Sequence, residues 1–209
     1  MTDPALDFAS LLCSRLCHDL LSPVGAISNG LELLADEDDP AMRARCMELV
    51  QDSAQASADR LKFFRLAFGS AGGFADEIAS VEVRAALEGL VRGNARVELG
   101  WMIDQPMLAK PAAKILLNLA MVAFDALVRG GRLDVGADHG EVVVRAEGPR
   151  LVLDAGIRDV LAGDGNEQAV TSRTSAAWLV KKLARDAGGS VTLADDQPGV
   201  LLLGAMLPG

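Results

Sequence analysis

No run of lysine or arginine occurs in these 209 residues, and a formal charge of −9 is spread over both halves of the chain. Direct nucleic-acid binding is thereby disfavoured, because phosphate contacts need clustered cations. No apolar stretch approaches the ~18 residues of a membrane span, and no signal peptide opens the chain. A cytoplasmic protein without membrane contact is expected. Cysteine is scarce: Cys13, Cys17 and Cys46 make an odd number without a CxxC pair, which argues against a disulfide framework. Cys13 and Cys17 lie one helical turn apart beside His18, but a closed zinc site needs four ligands. The second histidine, His139, is distant in sequence. No metal is therefore expected, and the cysteines read as small packed residues.

Apolar residues are plentiful, at 50% of the chain against 23% charged, enough for one large or two small domains. A first helix is predicted over 5–35, ending at the acidic Asp36-Glu37-Asp38-Asp39 turn before Pro40. Pro40 suits the first turn of a second helix over 41–68, with the acidic residues complementing its N-terminal dipole. Leu12, Leu16, Leu20, Val24, Ile27, Leu31 and Leu34 form one stripe on the first helix. Met42, Cys46, Val50, Ala54, Leu61, Phe64 and Phe68 do so on the second. Two such helices make a hairpin that cannot bury both stripes alone, so a homodimeric four-helix bundle is expected.

Gly69-Ser70-Ala71-Gly72-Gly73 reads as a linker, dividing the chain into a hairpin over 1–70 and a second domain over 74–209. In the latter, strands are expected near 74–79, 97–103, 131–137, 141–146, 190–195 and 199–207, with 150–153 extending the sheet. Helices are expected over 81–93, from Pro111 to Leu127 and over 173–187, with a short one inside the loop 154–172. His139 supplies the turn of the 131–146 hairpin. The pattern is a two-layer α/β sandwich.

The first helix carries the feature that needs explaining. At 100° per residue His18 faces about 180° away from the apolar stripe. Ser22, Gly25 and Asn29 share its face, and Leu11 and Leu21 flank it where a solvated helix would carry Lys or Glu. Pro23 lies mid-helix and removes the hydrogen bond to the Asp19 carbonyl. A histidine displayed outward among small neighbours is open to another protein.

The string His18-Asp19-Leu20, followed by Ser22-Pro23-Val24, resembles the H-box of sensor histidine kinases, whose histidine is phosphorylated. The second half resembles the ATP-binding domain of those kinases in the order of its elements, but its nucleotide motifs are altered. Asn118 stands in the first position of the Asn-x-x-x-Asn motif, while Val122 replaces the magnesium-ligating second Asn. The adenine motif Asp-x-Gly-x-Gly falls on Ala146-Glu147-Gly148-Pro149-Arg150, with Asp154-Ala155-Gly156 as a shifted alternative. The Gly-x-Gly phosphate loop falls on Thr174-Ser175-Ala176-Ala177, without glycine.

An H-box hairpin joined to a degenerate kinase-like domain resembles the ChpT-type histidine phosphotransferases of alphaproteobacterial phosphorelays. Arg65-Leu66-Ala67-Phe68-Gly69 and Lys110-Pro111 fit that family as well. The resemblance implies phosphoryl transfer through His18, from the receiver domain of a hybrid histidine kinase to response regulators that control the cell cycle. It implies Asp19 as an orienting or basic group and leaves Arg15 either to steady phosphoryl oxygens or to serve as a surface residue. Leu11, Leu21, Ser22, Gly25 and Asn29 form the expected receiver-docking face. No cofactor is expected in this chain, with Mg2+ supplied by the partner receiver. The alternatives are an ATP-dependent histidine kinase and a non-catalytic adaptor or inhibitor.

Overall fold

The computed structural model describes residues 3–69, 76–163 and 170–208. Helix α1 (Pro4–Asp36) opens with Asp3 as its cap, whose carboxylate accepts from the Ala5 amide at 2.9 Å. Asp39 caps α2 (Pro40–Ala67) in the same way, accepting from the Ala41 and Met42 amides. Each cap satisfies amides that the first helical turn leaves without partners. Arg43 closes the turn between the helices by donating to the carbonyls of Leu34 and Glu37. The helices pack tightly at Gly30, which is buried and where an added Cβ would lie 2.6 Å from Val50 Cγ2.

The expected stripes split in two. On α1, Leu12, Leu16, Leu20, Ile27 and Leu34 are half-buried, whereas Val24 and Leu31 are exposed. On α2, Cys46 and Phe64 are buried, but Met42, Ala54 and Leu61 are exposed. A single neighbouring helix covers only part of so broad an apolar arc, so the remainder of each stripe is left uncovered.

The α/β part comprises β1 (Glu77–Ala79), α3 (Ser80–Arg92), β2 (Val97–Met102), β3 (Met107–Ala109), α4 (Lys110–Ala126), β4 (Gly131–Asp138), β5 (Glu141–Glu147), α5 (Ala155–Ala162), α6 (Ser175–Asp186), β6 (Ser190–Ala194) and β7 (Val200–Met206). Five strands form a sheet in the order β2-β4-β5-β7-β6, parallel only between β2 and β4. Helices α3, α4 and α6 pack on one face of it. Arg132, Asp134, Arg145 and Glu147 form an ion-pair ladder on β4 and β5, at positions alternating with buried Leu133, Val135, Val144 and Ala146. The period-two alternation of strands puts the two sets on opposite faces.

Two details differ from the expected pattern. Residues 150–153 form no strand; the Val152 amide instead donates to the Ala126 carbonyl, drawing this segment to the end of α4. Strand β3 was not expected, because three residues are too few to show periodicity. It pairs with β1 outside the main sheet, Ile78 opposite Leu108. Phe74 and Ala75 of the first expected strand, and residues 70–73 of the expected linker, lie outside the described residues.

Phe63, Phe64, Leu66 and Ala67 at the end of α2 belong to the same apolar core as Val83, Leu87, Ala113 and Leu117. Asn118 crosses between the two parts, its Nδ2 donating to the Ala67 carbonyl at 3.1 Å and to that of Lys114 at 2.8 Å. Arg92 on α3 pairs with buried Asp59 on α2 at 2.5 Å. Hairpin and sheet are thus packed over one continuous interior. Among the described residues no helix is long and apolar enough to cross a membrane.

Candidate functional site

The site begins with the helix interruption. Pro23 has no N–H, so the Asp19 carbonyl four residues earlier loses its helical donor. Arg60 of α2 takes that place, its Nη1 donating to Asp19 O at 3.0 Å. The α1–α2 packing is therefore fixed by a polar contact one residue from His18.

His18 is 84% exposed in its side chain, while neighbouring Asp19 is only 12% exposed. His18 Nδ1 lies 3.0 Å from Asp19 Oδ1. An ionised carboxylate only accepts, so Nδ1 carries the proton and the lone pair of a neutral ring resides on Nε2. The other Asp19 oxygen, Oδ2, accepts from Arg15 Nε at 2.8 Å. Arg15 in turn donates through Nη2 to Asp125 Oδ2 at 2.7 Å. Burial works to lower the Arg15 pKa, but the carboxylates of Asp125 and Asp19 outweigh it and hold the guanidinium above its ordinary value.

Arg15, His18 and Asp19 form one wall of a cleft of about 530 Å³ between α1 and the α/β part. Val122, Asp125 and Ala126 of α4 form another wall, and Leu153, Asp154 and Arg173 the rim. Asp154 caps α5, accepting from the amides of Gly156 (2.9 Å) and Ile157 (3.3 Å), and receives Arg173 Nη1 at 3.2 Å. Partial burial pushes the Asp154 carboxyl upward, but Arg173 and the two amides prevail and hold it below its ordinary value. Ala146 is fully buried in β5 and does not line the cleft, whereas Asp154, the aspartate of the shifted register, does.

The loop before α6 is closed on itself. Thr171 N donates to Thr174 Oγ1 at 2.9 Å, Thr174 N to Thr171 Oγ1 at 3.3 Å, and Ser175 Oγ to the Ser172 carbonyl at 2.7 Å. Thr174 itself is buried.

Along the expected docking face, Ser22 and Asn29 are exposed, Leu21 is 71% exposed, and Leu11 is half-buried. A Cβ added at Gly25 would meet nothing within 4 Å. His139 occupies the β4–β5 turn with φ 44°, the one non-glycine residue with positive φ among those described. Cys13 and Cys17 are exposed and Cys46 buried. Among the described residues no group of three or more His, Cys, Asp or Glu side chains is placed to hold a metal ion.

Two participants were not legible in sequence. Pro23 announces that the Asp19 carbonyl needs another donor, but nothing local names Arg60. Asp125 ends an apolar helix 110 residues from Arg15, and no spacing rule connects the two.

Residues 80–199 match the model of the histidine phosphotransferase C-terminal domain. The chain is 33% identical over 201 residues to the protein phosphotransferase ChpT of Brucella abortus (strain 2308), covering 92% of each chain. A solved bacterial phosphotransferase superposes with a TM-score of 0.85 at 30% identity, covering 98% of each chain. With the exposed His18 at the centre of this geometry, the chain belongs to the histidine phosphotransferase family.

Proposed function

We propose that this phosphotransferase carries a phosphoryl group on His18 Nε2, from the receiver domain of a hybrid histidine kinase to response regulators. The observation that carries the reading is an exposed imidazole whose Nδ1 is held by Asp19, leaving Nε2 outward. In the forward step the Nε2 lone pair attacks the phosphorus of the receiver's aspartyl phosphate. The N–P bond forms, the acyl O–P bond breaks, and its electron pair returns to the receiver carboxylate. Asp19 holds the reactive tautomer and offsets the positive charge on the phosphorylated ring. Transfer onward is the same exchange reversed.

Arg15, engaged by two carboxylates, serves to orient Asp19 rather than to bind phosphoryl oxygens. Magnesium and the cationic group that neutralise those oxygens belong to the receiver. Leu11, Leu21, Ser22, Gly25 and Asn29 form the face on which a receiver docks. The working form is a cytoplasmic homodimer. Val24 and Leu31 on α1, and Met47, Ala54 and Leu61 on α2, are exposed and recur every seven residues. That is the repeat of a seam between helices, and a second copy would cover it in a four-helix bundle.

An ATP-dependent kinase is the weaker reading. Val122 cannot ligate a hard cation, the Asp154 carboxylate is occupied by α5 and Arg173, and the loop before α6 is closed by Thr171 and Thr174. Asp19 and Asp125 add negative charge to the cleft. A purely docking adaptor would have no use for the His18–Asp19 pair. Incubation with a phosphorylated receiver decides among these readings: label should appear on wild-type protein and on His18 only. His18→Ala should fold and dimerise but accept nothing, and His139→Ala should transfer normally. Acceptance of label by His18→Ala would end this reading.

A further inference from the structure

We infer that Asp125 is a positioning residue for phosphoryl transfer, acting on His18 through Arg15 and Asp19. The inference rests on the reading of His18 as the phosphoryl carrier. The four residues are linked in series: Asp125 Oδ2 to Arg15 Nη2 at 2.7 Å, Arg15 Nε to Asp19 Oδ2 at 2.8 Å, and Asp19 Oδ1 to His18 Nδ1 at 3.0 Å. Each Asp19 oxygen therefore has a different partner, and one of them remains available to the imidazole.

That division is not what Arg15 and Asp19 would adopt alone. A guanidinium and a carboxylate favour a two-pronged pair in which both oxygens accept from the same arginine. Arg15 and Asp19, one helical turn apart and mostly buried, have the reach for it. Asp125 draws Nη2 toward the opposite wall of the cleft, and in this arrangement Arg15 gives Asp19 its Nε alone. Without this pull Arg15 would rotate to engage Oδ1 as well, and His18 Nδ1 would share its acceptor with a cation that draws on the same oxygen. A ring whose acceptor at Nδ1 is weakened holds its proton there less firmly. A proton on Nε2 occupies the lone pair that must attack phosphorus. The α/β part thus has a chemical task at His18, from an acidic residue at the end of α4, although it contributes no atom to the reacting bond.

The experiment uses the full chain. Its two histidines, His18 and His139, give an imidazole 15N spectrum with one ring at the site and one in a distant turn that serves as the control. Asp125→Ala should shift His18 from the Nδ1–H toward the Nε2–H tautomer while His139 is unchanged. Acceptance from a phosphorylated receiver should slow about fivefold, the rate equivalent of about one hydrogen bond. Asp125→Asn keeps an oxygen for Arg15 Nη2 and should lie between Asp125→Ala and wild type in both measurements. Because Asp125 is 44% exposed in its side chain, neither variant should unfold the protein, which a melting curve checks. An Asp125→Ala protein that keeps the wild-type tautomer, or that accepts label within twofold of the wild-type rate, overturns the inference. His18→Ala, measured in parallel, reports separately on whether His18 is the carrier.

Discussion

Arg60 on α2 donates to the backbone carbonyl of Asp19, the carbonyl that Pro23 deprives of its helical donor. The proline and the arginine form one device: the first opens a gap in the α1 ladder beside His18, and the second fills it from the neighbouring helix. A local break in secondary structure thereby becomes a tertiary contact.

Arg60→Ala should therefore destabilise the protein by about 1–2 kcal/mol, the usual cost of leaving a part-buried polar group unsatisfied. In a Pro23→Ala background, where residue 23 regains an N–H for the Asp19 carbonyl, the same substitution should cost clearly less. Urea denaturation of the four proteins in this cycle measures the coupling. Additive effects would show that the arginine does not substitute for the missing amide.

Gly25→Arg should block relay without harming the fold. Nothing lies within 4 Å of a Cβ built at Gly25, and loss of a helical glycine favours the helix by up to about 1 kcal/mol. The expected outcome is an unchanged or raised melting temperature with receiver binding, followed by calorimetry, reduced at least tenfold. Normal binding would remove this face from the docking surface.

Mg-ATP should neither bind at micromolar concentrations nor label His18 in the isolated protein. Losing the metal ligand and the glycine cradle removes contacts worth about 1 kcal/mol or more each, and each 1.4 kcal/mol is a tenfold change in dissociation constant. Calorimetry with Mg-ATP and a radiolabelled ATP incubation test both halves of the statement. Label on His18 would return the chain to the kinases.

Asp154 couples the rim of the cleft to pH. Its folded-state pKa is held below the ordinary carboxylate value, so its stabilising effect is complete above that value, about 4, and disappears as pH falls through the folded pKa. Asp154→Ala should cost about 1 kcal/mol at pH 7, the typical loss of a helix cap. The difference from wild type should shrink toward zero as the medium is acidified below about pH 4. Denaturant curves across this range give the comparison, and a gap that persists undiminished in acid would mean that the carboxylate charge is not what stabilises α5.

The amino-acid sequence alone determined the elements that local patterns encode. Two long helices, the outward face of His18 and the apolar α4 followed from periodicity and proline, because those signals act within one or two helical turns. The same reasoning located the Asp19 carbonyl that Pro23 leaves open. It offered two registers for the adenine motif, on Ala146, which is buried in β5, and on Asp154, which lines the cleft, because spacing along a chain does not say which side chain faces a cleft. It also showed that the stripes on α1 and α2 exceed what one hairpin buries, but not which residues the two helices cover, since helical period reports apolarity and not which part of the arc a neighbour covers.

Only the tertiary structure decided what surrounds the imidazole. Arg60 reaches the Asp19 carbonyl across 41 residues of chain, and Asp125 reaches Arg15 across 110. Contacts so remote leave no periodic trace in sequence. They arise because the end of α2 is buried in the core against α4, which brings Asp125 at the end of that helix within reach of Arg15. The sequence thus determined that a histidine would be displayed, and packing over the shared core decided which groups would hold its proton.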